Sequence, residues 1–108
     1  MIVTSTISNL GTTETTIYTC PVGNTSTISK LSLANVVDED ITFSISYYDS
    51  SADSTIFLIK NGHLSIGQKH DSISNSNTLT LNASDCIKVI SNVPSSMHAI
   101  ISYEEITS

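Results

Sequence analysis

Three histidines are the side chains of this sequence best suited to acid–base or metal chemistry. They are His63, His70 and His98. In a Ser–His–Asp hydrolase, the serine nucleophile is hydrogen-bonded to a histidine base, and an acidic residue orients that histidine. The Gly-x-Ser-x-Gly motif that carries such a serine in many hydrolases does not occur in this sequence. Asp53 or Asp71 could join the histidines around a metal, yet no pair has the short spacing of a common metal motif. We therefore expect ordinary turn or strand-face histidines.

Five carboxylates lie close enough in sequence to suggest a metal or catalytic group. Asp38-Glu39-Asp40 is an acidic run, but it lacks the alternating oxygen ligands and the central glycine of a calcium-binding loop. Glu104 and Glu105 are adjacent, so on a strand they point to opposite faces and cannot act as one pair. The sequence predicts a solvated turn at the first group. It predicts no catalytic, metal-binding or cofactor-binding residue, and no enzymatic activity.

Four tyrosines could form a platform for a sugar or a protein partner, because tyrosine contributes contact area at little entropic cost. They are Tyr18, Tyr47, Tyr48 and Tyr103. In the alternative interpretation, which we favour, Tyr47 and Tyr103 belong to the core while Tyr18 and Tyr48 cover the outside.

Two cysteines, Cys20 and Cys86, are too few for a disulfide-stapled miniprotein. We expect two free thiols that are buried or half-buried, and a single bridge between two strands is the alternative. Their separation is similar to that of the bridge in an immunoglobulin domain. However, the chain has no tryptophan, Ser84 stands where that fold has a tyrosine, and Cys20 directly precedes Pro21.

Length and charge exclude several classes of partner. The 108 residues fit one domain, and the formal net charge of −6 comes from 10 acidic and 4 basic side chains. Nucleic acids and anionic membranes require clustered basic groups, and here the lysines are spread out. No apolar run approaches the ~20 residues needed to span a bilayer, and the first residues do not read as a secretory signal. The lysines are Lys30, Lys60, Lys69 and Lys88.

Alternation of apolar and hydroxyl side chains dominates the pattern and predicts β-strands. Residues 41–47 are the clearest case, with apolar groups at every odd position, which is typical of a strand with one buried and one wet face. Residues 56–59 are apolar on both faces and predict a central strand, or one whose outer face meets a partner. Further strands are predicted at residues 2–7, 15–20, 27–34, 55–60, 79–81, 86–89 and 98–104.

Turn chemistry separates these strands. Asn61-Gly62 tolerates the positive φ of a type I′ turn and predicts a hairpin between residues 55–60 and 63–66. Residues 71–77 are expected to form a polar loop. The pattern as a whole predicts an all-β fold of about eight short strands, arranged as an antiparallel two-sheet β-sandwich that is immunoglobulin-like or jelly-roll-like. We expect residues 1–13 to be an N-terminal arm or strand, with residues 8–13 flexible, and residues 14–108 to be the sandwich domain.

Two motifs carry a resemblance to a known group of proteins. The first motif is Ile17-Tyr18-Thr19-Cys20-Pro21-Val22-Gly23, and several Thr-rich strands follow it. The second motif is Leu81-Asn82-Ala83-Ser84-Asp85-Cys86-Ile87-Lys88-Val89, and a closing strand at residues 97–106 comes after it. Over residues 15–106 this order resembles the small tail, fibre and head-surface proteins of tailed phages, especially phages of aquatic bacteria. In the second motif Ser84 stands where that group usually has glycine. The resemblance implies a β-sandwich virion component that is usually oligomeric and has no enzymatic residues.

The expected function is therefore a structural one. The resemblance implies a capsid decoration (cement) protein or a neck, tail or fibre subunit, with other virion proteins and further copies of itself as partners. It implies assembly in the host cytoplasm and a final location in the virion. The first strand could also pair with a neighbouring subunit by β-augmentation. A carbohydrate-binding or receptor-binding module is the alternative hypothesis.

Overall fold

The computed structural model describes residues 2–74 and 78–107. These residues contain nine β-strands, and none belongs to a helix long and apolar enough to cross a bilayer. The strands are β1 (Ile2–Leu10), β2 (Thr15–Thr19), β3 (Asn24–Asn35), β4 (Ile41–Asp49), β5 (Ser54–Leu64), β6 (Lys69–Ile73), β7 (Leu79–Leu81), β8 (Cys86–Ser91) and β9 (Met97–Thr107).

The strands form two antiparallel sheets that face each other. In the first sheet the order is β1-β9-β3, and β6 and β7 then pair with the second and first halves of β3. In the second sheet the order is β2-β8-β4-β5. If β6 and β7 are counted as one strand, this is the order of an eight-stranded jelly roll. The predicted all-β sandwich is confirmed, and its topology is the jelly-roll one.

The core forms because alternate side chains of the long strands point between the sheets. In β8, Ile87 and Val89 are buried while the residues between them are half-buried. In β9, Met97, Ala99 and Ile101 follow the same rule. The largest fully buried side chains are Phe43, Leu10, Ile28, Leu31, Leu33, Ile41, Ile45, Leu81, Ile87, Met97, Ile101 and Val89.

The predicted hairpin at Asn61-Gly62 is wrong. Strand β5 runs straight through both residues and pairs with β4. Asn61 does have a positive φ of 54°, but there it forms a β-bulge, in which its backbone N–H donates to Ser44 Oγ at 3.0 Å. A bulge inserts one extra residue into a strand and needs the same left-handed backbone as a tight turn. The sequence signal therefore identified the backbone conformation and not its use.

Two other local predictions also need correction. Strand β5 is the edge of its sheet, so the predicted central strand at residues 56–59 is wrong. The predicted polar loop at residues 71–77 begins inside β6, where Ile73 is buried, and residues 75–77 lie outside the described residues. Strand β6 pairs with only one neighbour, and an edge strand can carry polar groups on both faces.

The outer face of β4 and the end of β1 also differ from expectation. Ser44 and Ser46, predicted to be wet, are buried, because β4 is an interior strand whose neighbours carry long side chains over them. Residues 8–10 belong to β1, and Leu10 is only 1% exposed and part of the core, so a flexible segment there is wrong. The division into residues 1–13 and 14–108 stays a prediction.

Candidate functional site

The three histidines do not converge. They lie on β5, β6 and β9, respectively. The ring of His70 packs on Phe43 at a centroid distance of 5.2 Å, whereas His63 and His98 are exposed beside core residues on different sheets. Within residues 2–74 and 78–107, no three His, Cys, Asp or Glu side chains are placed to hold a metal ion. The chemistry for which the histidines were considered is therefore not assembled.

The carboxylates serve local structure. Asp40 Oδ1 accepts a hydrogen bond from the Ile66 N–H at 3.0 Å, and the Glu39 carbonyl accepts one from Asn35 Nδ2 at 2.8 Å. The first bond ties the acidic loop between β3 and β4 to the turn after β5, and the second ties it to the end of β3. On β9, Glu105 accepts a hydrogen bond from the Tyr18 hydroxyl at 2.6 Å, while Glu104 lies opposite Ile2 of β1.

Tyr18 lies at the centre of a buried polar group, so the prediction that it covers the outside is wrong. Its hydroxyl is 2.5 Å from Ser26 Oγ, which in turn donates to Cys20 Sγ at 3.1 Å. The rings of Tyr18 and Tyr103 lie 4.4 Å apart. Burial and the hydrogen bond to Glu105 raise the pKa of Tyr18, so its hydroxyl stays a donor at physiological pH.

Asp85 is the most heavily bonded carboxylate of the described residues, and it is only 1% exposed. It accepts from the Tyr47 hydroxyl at 2.5 Å, from the Ser50 N–H and hydroxyl at 3.0 and 3.1 Å, and from the Asn82 N–H at 3.0 Å. Burial alone would raise the pKa of Asp85. The hydrogen bonds from these three residues outweigh burial and hold the pKa below its usual range.

The two sequence motifs meet at this point of the molecule. The Cys20 N–H donates to the Asp85 carbonyl at 2.9 Å, and the Ser84 N–H donates to the Cys20 carbonyl at 2.8 Å. Ser84 has a φ of 71° and Gly23 one of 87°. We call this contact of residues 17–23 with residues 81–89 the motif junction. At this junction the Tyr18 hydroxyl bonds to Glu105 and the Asp85 carboxylate to Tyr47, so both buried polar groups have partners on neighbouring strands.

Both cysteines are free thiols, as expected, with Cys20 buried and Cys86 half-buried. The tyrosine platform is not formed. Tyr47 gives its hydroxyl to Asp85, and the half-buried Tyr48 gives its hydroxyl to Asp53 at 2.6 Å. A cleft of about 290 Å³ between β1 and β9 and three smaller clefts elsewhere stay below the usual volume of ligand pockets, ~300–1,000 Å³.

Two exposed apolar patches remain as candidates for function. The β5 patch consists of Ile56, Phe57 and Leu58 on the edge strand, which are 58%, 47% and 41% exposed. Ile56 pairs with Tyr47 and Phe57 with Ser46, so these two side chains lie on opposite faces of β5 and the patch extends around its edge. Lys60 Nζ lies 5.0 Å from the centre of the Phe57 ring. The β1–β9 patch consists of Ile2, Val3 and Ile106, which are 65%, 38% and 56% exposed. Ile2 lies opposite Glu104 and so shares a face with Ile106, whereas Val3 lies opposite Tyr103 on the other face of the sheet edge. The sequence pattern predicted either a central strand at residues 56–59 or a strand whose outer face meets a partner, and the β5 patch fits the second alternative. The β1–β9 patch was not predicted, because its two strands are far apart in the chain.

Comparison with known proteins supports the fold. No family model and no curated protein matches this sequence. A solved structure from Bacillus endospore appendages, described as disulfide-linked pili, aligns over 98% of this chain and 88% of its own, with 11% identity and a TM-score of 0.55. The core of Drosophila NLP, described in terms of pentamer formation and histone binding, covers 98% of both chains at 12% identity and a TM-score of 0.55.

A third structure, of the infectious bursal disease virus Gx strain, matches 99% of this chain but only 32% of its own, at 14% identity and a TM-score of 0.54. At such identities these likenesses establish a shared all-β architecture and nothing about activity.

Proposed function

We propose that this protein is a non-enzymatic structural component of a tailed-phage particle that acts through protein–protein contacts. A capsid decoration protein is the first assignment, and a neck, tail or fibre subunit is the second. The observation that carries the proposal is the β5 patch, because three consecutive large apolar side chains on an edge strand are rarely left open to water. Contact with another subunit covers such a surface.

The composition of the chain suits a packed particle. Only 13% of its residues are charged, and most of its polarity comes from hydroxyl and amide groups. Such a surface can be covered by a neighbour without stripping water from many ions, which is costly. The resemblance over residues 15–106 to phage tail, fibre and head-surface proteins supports the same assignment. The jelly-roll architecture, which also occurs in pili and virus particles by the comparisons above, is compatible with it.

The remaining elements of the proposal follow from this assignment. The protein assembles in the host cytoplasm and ends in the virion, with other virion proteins and further copies of itself as partners. The Drosophila NLP core, which has a similar architecture, is described in terms of pentamer formation, and this supports self-association here. Residues 1–13 are proposed to act as an arm whose exposed strand reaches neighbouring subunits.

Immunogold electron microscopy of a lysate of the source culture tests the proposal, with antibody raised against this chain and pre-immune serum as the control. Gold on heads supports a decoration protein, and gold on tails or fibres supports a tail component. If particles stay unlabelled while the protein is detected elsewhere in the lysate, the proposal is wrong. A glycan array then tests the binding-module alternative.

A further inference from the structure

We propose that the β5 patch of one copy packs against the β1–β9 patch of a second copy, so that the chains associate head to tail. This inference specifies one partner of the structural role proposed above. It begins from the two sets of exposed apolar side chains on a single chain, Ile56-Phe57-Leu58 and Ile2, Val3 and Ile106. Each copy thus carries both halves of an interface.

The two patches lie on opposite sides of the sandwich. Strand β1 begins the order of the first sheet, and β5 ends the order of the second. The sheets face each other with the two orders running in the same direction, because Tyr18 of β2 bonds to Glu105 of β9 and Phe43 of β4 packs on His70 of β6. A patch on each side suits a heterologous contact, in which different surfaces of two identical copies meet.

The patches also lie at the same level along the strands. Strand partners, one hydrogen bond between the sheets and one step along β9 connect the two patches, through Ile56, Tyr47, Ile87, Tyr18, Glu105, Glu104 and Ile2. A second copy placed beside the first by rotation about an axis along the strands therefore brings its β1–β9 patch level with the β5 patch of the first copy.

The backbone of β5 favours side-chain packing over strand addition. Its pairing with β4 shifts register twice, between Phe43 and Ile45 and again between Ile45 and Ser46. Bulges of this kind twist an edge strand and interrupt the regular hydrogen-bond ladder that a pairing strand needs. An interface at this edge is therefore built from the side chains of the β5 patch.

The charged residues near the two patches favour a head-to-tail contact over a symmetric one. Lys60 stands beside the β5 patch, whereas Glu104 lies opposite Ile2 in the other patch. Head-to-tail packing brings a cation toward a carboxylate. A symmetric contact of two β5 patches brings Lys60 toward its own copy, which is unfavourable. The head-to-tail arrangement gives a ring if the rotation between copies closes, and a filament if it does not.

Disulfide trapping distinguishes these arrangements. In a Cys86→Ser background, where the remaining Cys20 is buried, chains carrying Ile2→Cys are mixed with chains carrying Phe57→Cys under mild oxidation. We expect mixed dimers in the Ile2→Cys and Phe57→Cys sample and few dimers in either sample alone. Val22→Cys is the matched control, because Val22 is 85% exposed and lies in neither patch. Mixed dimers no more abundant than with Val22→Cys, or a predominance of Phe57→Cys homodimers, overturn the inference.

Sedimentation velocity of the full chain gives a second, independent readout. We expect Phe57→Lys to weaken self-association about 10-fold or more, and Val22→Lys to leave it unchanged. Lys60→Glu should weaken association, and the double variant Lys60→Glu/Glu104→Lys should restore part of it. Circular dichroism checks that each variant is folded.

The outcomes also separate this inference from the function proposed above. A wild-type chain that stays monomeric at all accessible concentrations overturns the head-to-tail contact. Gold-labelled particles in the same study would still support the virion role. Conversely, a head-to-tail oligomer with unlabelled particles would leave the contact intact and remove the virion assignment.

Discussion

Asp85 shows how one side chain can fix the end of a sandwich. It is buried and ionised. It accepts hydrogen bonds from Tyr47 of β4, from Ser50 of the β4–β5 turn and from Asn82 of the turn before β8. Its own carbonyl accepts from Cys20, so the second sheet and the motif junction are joined through this residue. A buried carboxylate in such surroundings stabilises the fold only while its donors remain in place.

We expect Asp85→Asn to destabilise the protein by about 2–3 kcal/mol, because the amide cannot accept from all the present donors and its NH₂ group meets other donors. Urea denaturation gives the free energy of unfolding of both proteins. Asp38→Asn in the exposed acidic loop is the matched control and should change stability by less than about 0.5 kcal/mol. Equal effects of the two substitutions would contradict the role given to Asp85.

The same residue predicts how stability depends on pH. The pKa of Asp85 is lower in the folded chain than in the unfolded one, so below the usual carboxyl pKa of about 3.9 the unfolded state binds the extra proton first. The contribution of Asp85 is present above that pH and is lost as the pH falls through the folded pKa. Acid denaturation curves should therefore show a smaller loss of stability for Asp85→Asn than for the wild type. A parallel loss in both proteins would argue against this.

Ser84 holds a backbone conformation that costs energy for any residue with a Cβ. Its φ is 71°, a value in the left-handed region that glycine adopts without strain. We expect Ser84→Gly to raise the free energy of unfolding by about 0.5–1 kcal/mol, measured by thermal and urea denaturation. Thr12→Gly, at an exposed position without a positive φ, should have no such benefit. A loss of stability in Ser84→Gly would show that the serine side chain matters more than the backbone.

At the scale of elements, the sequence pattern predicted most strands, including β2 and β7 to within one residue of their bounds, but it did not predict β6. Strands β4, β8 and β9 alternate because one face of each lies on the core. Strand β6 lies at an edge and carries polar residues through Lys69–Ile73, so no alternation marked it. The backbone signal at Asn61 was correct, but whether positive φ makes a turn or a bulge depends on the strand opposite, which local sequence does not contain.

The candidate site was predicted less completely than the fold. The free thiols were expected from the small number and wide spacing of the cysteines. The burial of Tyr18 and the bonds of Asp85 depend on strands far apart in the chain, such as β2 with β9. Exposed patches depend on strand order for the same reason. Only residues 56–59, apolar in sequence and adjacent in space, revealed a patch directly.

The first half of strand β1 is exposed, whereas its last residue is anchored in the core. Two substitutions, one at each end, test how much each part contributes to stability. Leu10 is 1% exposed, and its carbonyl accepts from the Ser96 N–H at 2.8 Å, whereas Ile2 is 65% exposed. We expect Leu10→Ala to cost about 2–5 kcal/mol through cavity formation and lost burial. Ile2→Ala should cost less than about 0.5 kcal/mol of monomer stability. Denaturation at a protein concentration low enough to exclude association makes the comparison. Similar losses would show that the whole strand is equally anchored.

At the scale of the molecule, both sheets depend on pairings between strands distant in sequence. Strand β9 pairs with β1 and β3, and β8 pairs with β2 and β4, so each sheet joins the two ends of the chain. Between the two sheets, the Tyr18 hydroxyl of β2 donates to Glu105 of β9, and at the motif junction Cys20 is bonded to Ser84 and Asp85. A domain connected in this way has no separable half, and we expect it to unfold as one cooperative unit.

Cys20 provides a test of that cooperativity. Its thiol is buried and accepts from Ser26 Oγ, and its backbone is held by Ser84 and Asp85. In a Cys86→Ser background, labelling of Cys20 by a thiol reagent should require the same opening free energy as global unfolding in urea, because no smaller unit exposes it. Cys86 in a Cys20→Ser background is the control and should label faster, since it is half-buried in the folded protein. If Cys20 labels through an opening that costs much less than global unfolding, the motif junction opens by itself. The two sheets would then be linked more weakly at this end than their shared core implies.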